Sequence, residues 1–348
     1  MKLHFENVRS RAPLRLGLGG GGTDLAAYAE RHGGVVLNAT IDRYAYAHLA
    51  IRDDRRIVFK ADDLNAEETL ACGTSFEIRE GLCLHRAVYR HMMDTYNDGV
   101  GLPLSITTTI DVPAGSGLGA SSALTVALIE AFVLAMQLPL GPYEVARLAF
   151  EIERIQLGLL GGMQDQYAAA FGGFNFIEFL KDAAGVIVNP LRLRREHLNE
   201  FESSLVICFS GQSRESATII KDQVGGLQVF NDETLAAMHE LKVQADEMKV
   251  SILSGDIRGM ADVLKRSWLA KKRTASSITN STVDDLLEVA IKNGAYAGKV
   301  SGAGGGGFIM LLADPERRYH LIRKLNEHGG QASAVKLVFE GAEAWPVR

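Results

Sequence analysis

Short apolar runs punctuated by glycine alternate along the 348-residue chain with longer stretches that repeat at the helical period. β-Branched or alternating patterns predict strands at residues 14–18, 35–41, 45–51 and 104–109. Residues 121–136 (SSALTVALIEAFVLAM) are apolar on nearly every side and begin with serines, where caps belong, so they predict a mostly buried helix. Residues 142–158 predict a second, amphipathic helix with Pro142 near its first turn. Residues 205–209 read as a short apolar strand, 231–253 and 257–271 as long polar helices, and 283–293 as a helix closed by Gly294. Residues 299–301 then enter a glycine loop that leads into an apolar strand at 308–312.

Near residues 182–189 the glycine-rich half gives way to charged helices. A domain boundary is expected there, dividing the chain into residues 1–185 and 186–348. No internal repeat or low-complexity tract interrupts either half.

Composition narrows the class of protein. Hydrophobic residues make up 47% and charged residues 23%, as in globular proteins. The net charge of −5 argues against a nucleic-acid partner, which calls for a basic surplus. Cys72, Cys83 and Cys208 fit no zinc or redox spacing and read as small buried hydrophobes in a reducing compartment. The start, MKLHFENVRS, has no apolar signal region, and no stretch approaches 18 apolar residues. A cytoplasmic protein with no membrane partner is expected. Its oligomeric state, a homodimer included, is not legible.

The 36 glycines concentrate at residues 17–22, 115–119 and 302–307, with smaller groups at 161–162 and 172–173. Glycine is needed where the backbone takes positive φ or approaches a ligand closely. One such cluster is a turn; three in a chain of this size point to a ligand rich in phosphate oxygens. The most informative is PAGSGLGASSA at residues 113–123. There a strand ends, glycines turn the chain and a serine-capped helix begins, which aims backbone N–H groups and a helix N-terminus at one point, as a polyphosphate requires. No lysine precedes the serines, so this is not a P-loop of the Walker type.

That segment resembles the ATP-binding loop of the GHMP kinases, a family that includes galactokinase, homoserine kinase and mevalonate kinase. The resemblance extends along nearly the whole chain. Arg11-Ala12-Pro13-Leu14-Arg15 followed by Gly20-Gly21-Gly22-Thr23-Asp24 is similar to the family's substrate motif in its sugar-kinase form, and residues 299–307 (KVSGAGGGG) are similar to its third motif. The resemblance implies a two-domain α/β (α+β) fold, with a ribosomal-S5-like N-terminal domain, a ferredoxin-like C-terminal domain and the active site between them. It also implies ATP and Mg2+ as cofactors.

By the same resemblance, Gly115, Ser116, Gly117, Leu118, Gly119, Ala120, Ser121 and Ser122 would bind ATP, with Gly304 and Gly305 closing over the phosphates. Ser121 and Glu153 would hold magnesium. Arg15 and Asp165 would act at the reacting hydroxyl, Asp165 as candidate base, and Gly22, Thr23, Asp24 and Gly302 would meet the sugar. Phosphoryl transfer rests mainly on positioning and charge neutralisation, which is what such a set supplies.

The string GGGGTDL at residues 19–25 departs from the galactokinase pattern. It resembles the branch of the family that phosphorylates O1 of D-glycero-D-manno-heptose 7-phosphate, as do residues 161–175 and 209–214; L-fucose kinases share much of it. A substrate that already carries a phosphate needs cations at the far end of its pocket. Lys271-Lys272-Arg273, Arg214 and Arg11 are the candidates, and Arg214 and Arg273 are assigned to the sugar phosphate.

Two other classes compete. Gly17-x-Gly19-x-x-Gly22 and Gly302-x-Gly304-x-x-Gly307 satisfy the loose dinucleotide fingerprint of an oxidoreductase, but that leaves residues 113–123 and both carboxylates unexplained. A non-catalytic ATP and sugar sensor is the other, and the intact set of polar residues argues against it. There is no Gly-x-Ser-x-Gly elbow or His-Glu-x-x-His pair to support a hydrolase.

Overall fold

The computed structural model describes residues 4–211, 216–228, 232–275 and 277–347. The chain opens with strand β1 (Asn7–Gly19), helix α1 (Ala26–His32) and strand β2 (Gly34–Ile51). A hairpin of β3 (Arg56–Ala61) and β4 (Ala66–Ala71) leads to α2 (Cys83–Tyr96) and β5 (Leu104–Ile110). Helices α3 (Ala120–Met136), α4 (Pro142–Phe150) and α5 (Gln164–Phe171) precede a second hairpin, β6 (Phe174–Phe179) and β7 (Val186–Pro190). Then come α6 (Arg195–Ser204), β8 (Leu205–Phe209), α7 (Ser216–Gln228), α8 (Asp232–Ser254), α9 (Ile257–Lys272) and α10 (Ser281–Lys292). The chain ends with β9 (Ala295–Val300), β10 (Phe308–Ala313), α11 (Arg318–Glu327), β11 (Gln331–Ala334) and β12 (Glu343–Pro346).

Two sheets result, as the mixed α/β expectation requires. The larger runs β12-β1-β2-β5-β3-β4, with β6 and β7 branching from β2. The smaller is antiparallel in the order β11-β8-β10-β9. In the smaller sheet, successive residues of β8 and β10 point to opposite faces, and both faces are covered. Val206, Cys208, Ile309 and Leu311 pack with Val283, Leu286 and Leu321 of α10 and α11. Leu205, Ile207, Met310 and Leu312 join the main core on the other side. That double burial is why both strands read as unbroken apolar runs. Helix α3 is apolar all round because it lies inside the larger domain, where the Ser10 hydroxyl of β1 donates to its Ala127 carbonyl at 2.6 Å.

The structure corrects two expectations. The strands expected at 35–41 and 45–51 are one strand, β2; the polar pair Asp42-Arg43 marks an irregularity opposite Pro13, which has no N–H to give to the ladder. The boundary after residue 185 falls inside the β6–β7 hairpin, because all five residues of β7 pair with β6, and β12 returns to pair with β1. Cys208 is buried and Cys72 and Cys83 half-buried, all three as free thiols. No helix among the described residues is long and apolar enough to cross a membrane.

Candidate functional site

A cleft of about 320 Å³ opens between the two sheets, and the glycine segments meet there. In the loop from β5 to α3, Gly115, Gly117 and Gly119 all take positive φ, at 71°, 78° and 78°. Gly119 precedes α3 in the left-handed region with no side-chain cap, so the first-turn amides of Ala120, Ser121 and Ser122 are left for a ligand. The Ser116 hydroxyl is buried without a partner. Leu118 faces the core instead, and its carbonyl accepts the Arg15 amide at 3.0 Å.

Arg15, on β1, joins three parts of the site. Its Nε and Nη2 donate to Oδ1 of Asp165 at 2.7 and 2.5 Å, and its Nη1 donates to the Gly117 carbonyl at 2.8 Å. Asp165 sits in the first turn of α5 and packs against Gly119, where an added Cβ would come within 3.2 Å of its carboxyl carbon. The catalytic pair expected from sequence is therefore in contact across 150 residues.

Asp24 is buried at the turn into α1. Its Oδ1 accepts from the Gly22 amide at 3.0 Å and its Oδ2 from the Gln164 amide at 3.1 Å, so the carboxylate that faces the cleft is aimed by backbone on two sides. Gly162 makes this possible, since a Cβ there would lie 1.9 Å from Oδ2. Thr23 has a different role from the one expected. Its single hydroxyl proton is shared between the carbonyls of Gly20 and Val35, its oxygen accepts the Val35 amide, and the side chain is fully buried, which fixes the turn and keeps it from a sugar.

Glu153 follows α4 in a π-helical turn, Glu151–Gln156, closed by the Leu157 amide on the Ile152 carbonyl. The extra residue in that turn rotates Glu153 inward, to full burial. Its two oxygens accept from the hydroxyls of Ser121 at 2.8 Å and Ser122 at 2.7 Å, and from Gln166 Nε2 at 2.6 Å. One carboxylate behind an exposed serine hydroxyl is a sparse donor set, and no group of three ligating side chains exists among the described residues. Such a set fits a magnesium ion that takes its remaining ligands from phosphate oxygens and water.

The third glycine loop packs directly on the second. A Cβ at Gly117 would meet the Ser301 carbonyl at 2.4 Å, and one at Gly302 the Gly117 carbonyl at 2.6 Å. Gly302 and Ala303 line the cleft, whereas Gly304 and Gly305 turn away. The Gly305 amide is spent on the Ile278 carbonyl at 2.7 Å, and a Cβ on Gly304 would lie 2.8 Å from the same carbonyl, so both back onto Ile278.

Of the cations assigned to a substrate phosphate, Arg214 lies outside the described residues. Arg273 is exposed and paired with Glu240, away from the cleft, and Arg11 is paired with Glu343 at 2.6 Å over the Tyr44 ring. The lysines that do enter are Lys271 and Lys299. Burial pushes Lys271 down to about 8, opposed by Asp24 and reinforced by Arg15. Burial, Lys271 and Arg15 together push Lys299 down to about 7. The signal for Lys271 is in the sequence: it continues the buried stripe Ile257, Met260, Ala261, Leu264, Trp268 of α9, where a lysine is out of place. Lys299 is opposite Met310 in the β9–β10 register, on the side that faces the cleft.

Residues 84–173 match the model of the GHMP kinases N terminal domain, and residues 248–331 that of the GHMP kinases C terminal domain. Over 99% of its length the chain is 40% identical to the whole of D-glycero-alpha-D-manno-heptose 7-phosphate kinase of Campylobacter jejuni. The chain belongs to the GHMP kinases. It is a sugar or sugar-phosphate kinase, an ATP-dependent phosphotransferase. A solved D-glycero-D-manno-heptose 1-phosphate kinase from Bacteroides thetaiotaomicron superposes with a TM-score of 0.83 at 40% identity, covering 98% of this chain and 99% of that one. The galactokinase of Lactococcus lactis shares the fold, with a TM-score of 0.75 at 17% identity and coverage of 98% and 95%.

Proposed function

We propose that the chain transfers the terminal phosphoryl group of ATP to the anomeric O1 hydroxyl of D-glycero-D-manno-heptose 7-phosphate, giving the 1,7-bisphosphate in the cytoplasm. The observation that carries the reading is the Arg15–Asp165 pair held between the first turn of α3 and Asp24, together with 40% identity to a kinase of that substrate.

In this reading Asp24 holds the sugar and Asp165 aligns its O1 hydroxyl. The O1 oxygen attacks the terminal phosphorus, the O1–P bond forms, the bond to the bridging oxygen of ADP breaks, and Asp165 receives the hydroxyl proton. The amides of Ala120–Ser122 and the Arg15 guanidinium face the charge that develops on the phosphoryl oxygens. Ser121, backed by Glu153, would hold magnesium, whose contribution is to neutralise phosphate charge.

The test is ADP release with Mg-ATP over heptose 7-phosphate, mannose, L-fucose, galactose and mevalonate. Turnover on the heptose phosphate with a product phosphorylated at O1 is expected. Turnover on L-fucose or another free sugar alone would discard this substrate, and no ADP from any of them would leave the sensor reading.

A further inference from the structure

The charged groups along the cleft do not balance. Asp165 is engaged by Arg15, and Arg154 lies 3.8 Å from Glu153. Asp24 is the remaining cleft carboxylate, held by two backbone amides. Against it stand two lysines from different elements, Lys271 at the C-terminal end of α9 and Lys299 on β9. Lys271 Nζ donates to the Gly21 carbonyl at 3.0 Å and lies close enough to Gly22 that a Cβ there would be 3.1 Å away. Among the described residues Lys299 makes no ion pair, and its nearest charged neighbours are cations.

We infer that Lys271 and Lys299 together form a subsite for a phosphate dianion on the acceptor side of the cleft. Two ammonium groups brought together where water is scarce repel each other and lose hydration, and a doubly charged phosphate relieves both costs at once. A neutral sugar hydroxyl relieves neither. The substrate motif fixes where the subsite lies: Lys271 touches the Gly21–Gly22 backbone that carries Asp24, so the anion sits beside the sugar. The carrier is a phosphate already on the sugar. The inference deepens the proposed function and rests on the chain acting on a sugar in this cleft. Within the candidate run Lys271-Lys272-Arg273 it selects Lys271, on the buried face of α9, in place of Arg273.

The test compares wild type with Lys271→Met, Lys299→Met and the exposed control Lys265→Met, using inorganic phosphate in a thermal-shift titration and heptose 7-phosphate and ATP in steady-state kinetics. Methionine keeps the stem and removes a charge that the fold has partly stripped of water, so both variants are expected to fold at least as well as wild type. Expected is a phosphate-dependent rise in Tm for wild type and Lys265→Met that is lost or at least halved in the other two. With it, KM for heptose 7-phosphate rises tenfold or more in both, and KM for ATP changes less than threefold. A rise in KM for ATP alone assigns the lysines to the nucleotide and overturns the acceptor-side subsite. Equal phosphate stabilisation in all four proteins, with both KM values unchanged, overturns the inference. Wild type that turns over no sugar yet binds phosphate through these two lysines overturns the proposed substrate and leaves the subsite standing.

Discussion

The Arg15 guanidinium grips a single oxygen of Asp165, with Nε at 2.7 Å and Nη2 at 2.5 Å from Oδ1, while its third nitrogen holds the Gly117 carbonyl. One side chain thus sets the distance between the carboxylate that aligns the sugar and the loop that takes the phosphates. The planar fork is what makes this possible, since a lysine at position 15 would place one point charge and lose the second anchor.

Asp165→Asn should therefore lower kcat by roughly a hundredfold to ten-thousandfold, the usual span for removing a proton-accepting group. KM for ATP should stay within a few-fold, because the amides of α3 are untouched. Arg15→Lys should lower kcat as well, and by less. Steady-state kinetics with heptose 7-phosphate checks both, and an Asp165→Asn enzyme with wild-type kcat removes this residue from the mechanism.

Gly162→Ala separates sugar binding from nucleotide binding. A Cβ at 162 would lie 1.9 Å from Asp24 Oδ2, so the carboxylate must leave its two amide donors. KM for the sugar should rise at least about tenfold, the cost of losing one or two hydrogen bonds to a charged group. Mg-ATP affinity, measured by titration without sugar, should be unchanged.

The magnesium requirement should depend on Glu153 through Ser121. Glu153→Gln keeps the shape and removes the charge behind the serine, and Ser121→Ala removes the exposed hydroxyl while leaving the buried carboxylate bonded to Ser122 and Gln166. Both should shift the magnesium titration of kcat to higher concentration by about tenfold, of the order found when a metal's supporting contacts are removed. A titration identical to wild type in both variants would take the metal away from this pair.

Much of this was readable along the chain, and the misses share a cause. The helices of the second half and the strands 205–209 and 308–312 stand out because burial on one or both faces writes a clear period. Arg15, Asp24, Glu153 and Asp165 are findable from the motifs that carry them. What one dimension hides is which side of a turn a residue faces. Thr23 and Leu118 lie in the motifs but serve the turn and the core, and Gly304 and Gly305 back onto Ile278. The basic run 271–273 shows the same limit: the helix sends Lys271 into the cleft and Arg273 to an exposed pair with Glu240. The role of Gly162 depends on a neighbour 138 residues earlier and leaves no local trace.

The two cleft lysines, Lys271 buried and Lys299 half-buried, should also write a pH signature. They are faced by Arg15 from β1, Asp24 from the turn into α1, Asp165 from α5, and each other. Lys299 near 7 and Lys271 near 8 titrate as a coupled pair, so the free enzyme loses positive charge between about pH 7 and 9. A sugar phosphate becomes a dianion above about pH 6, which raises kcat/KM on the acid side. The same ratio should then fall above pH 8 as the lysines lose their protons, while KM for ATP stays flat; in Lys299→Met the lower step of that fall should vanish. Stability runs the other way. Because both groups have native values below the 10.5 of the unfolded chain, the unfolded state binds more protons between about pH 7 and 10. The Tm of the free enzyme should therefore be held down near neutrality and gain from these two groups as pH rises through that window, and added phosphate should raise it more at pH 7 than at pH 9.5. A kcat/KM profile flat from pH 7 to 9.5 in wild type would show that neither lysine meets the substrate in its charged form.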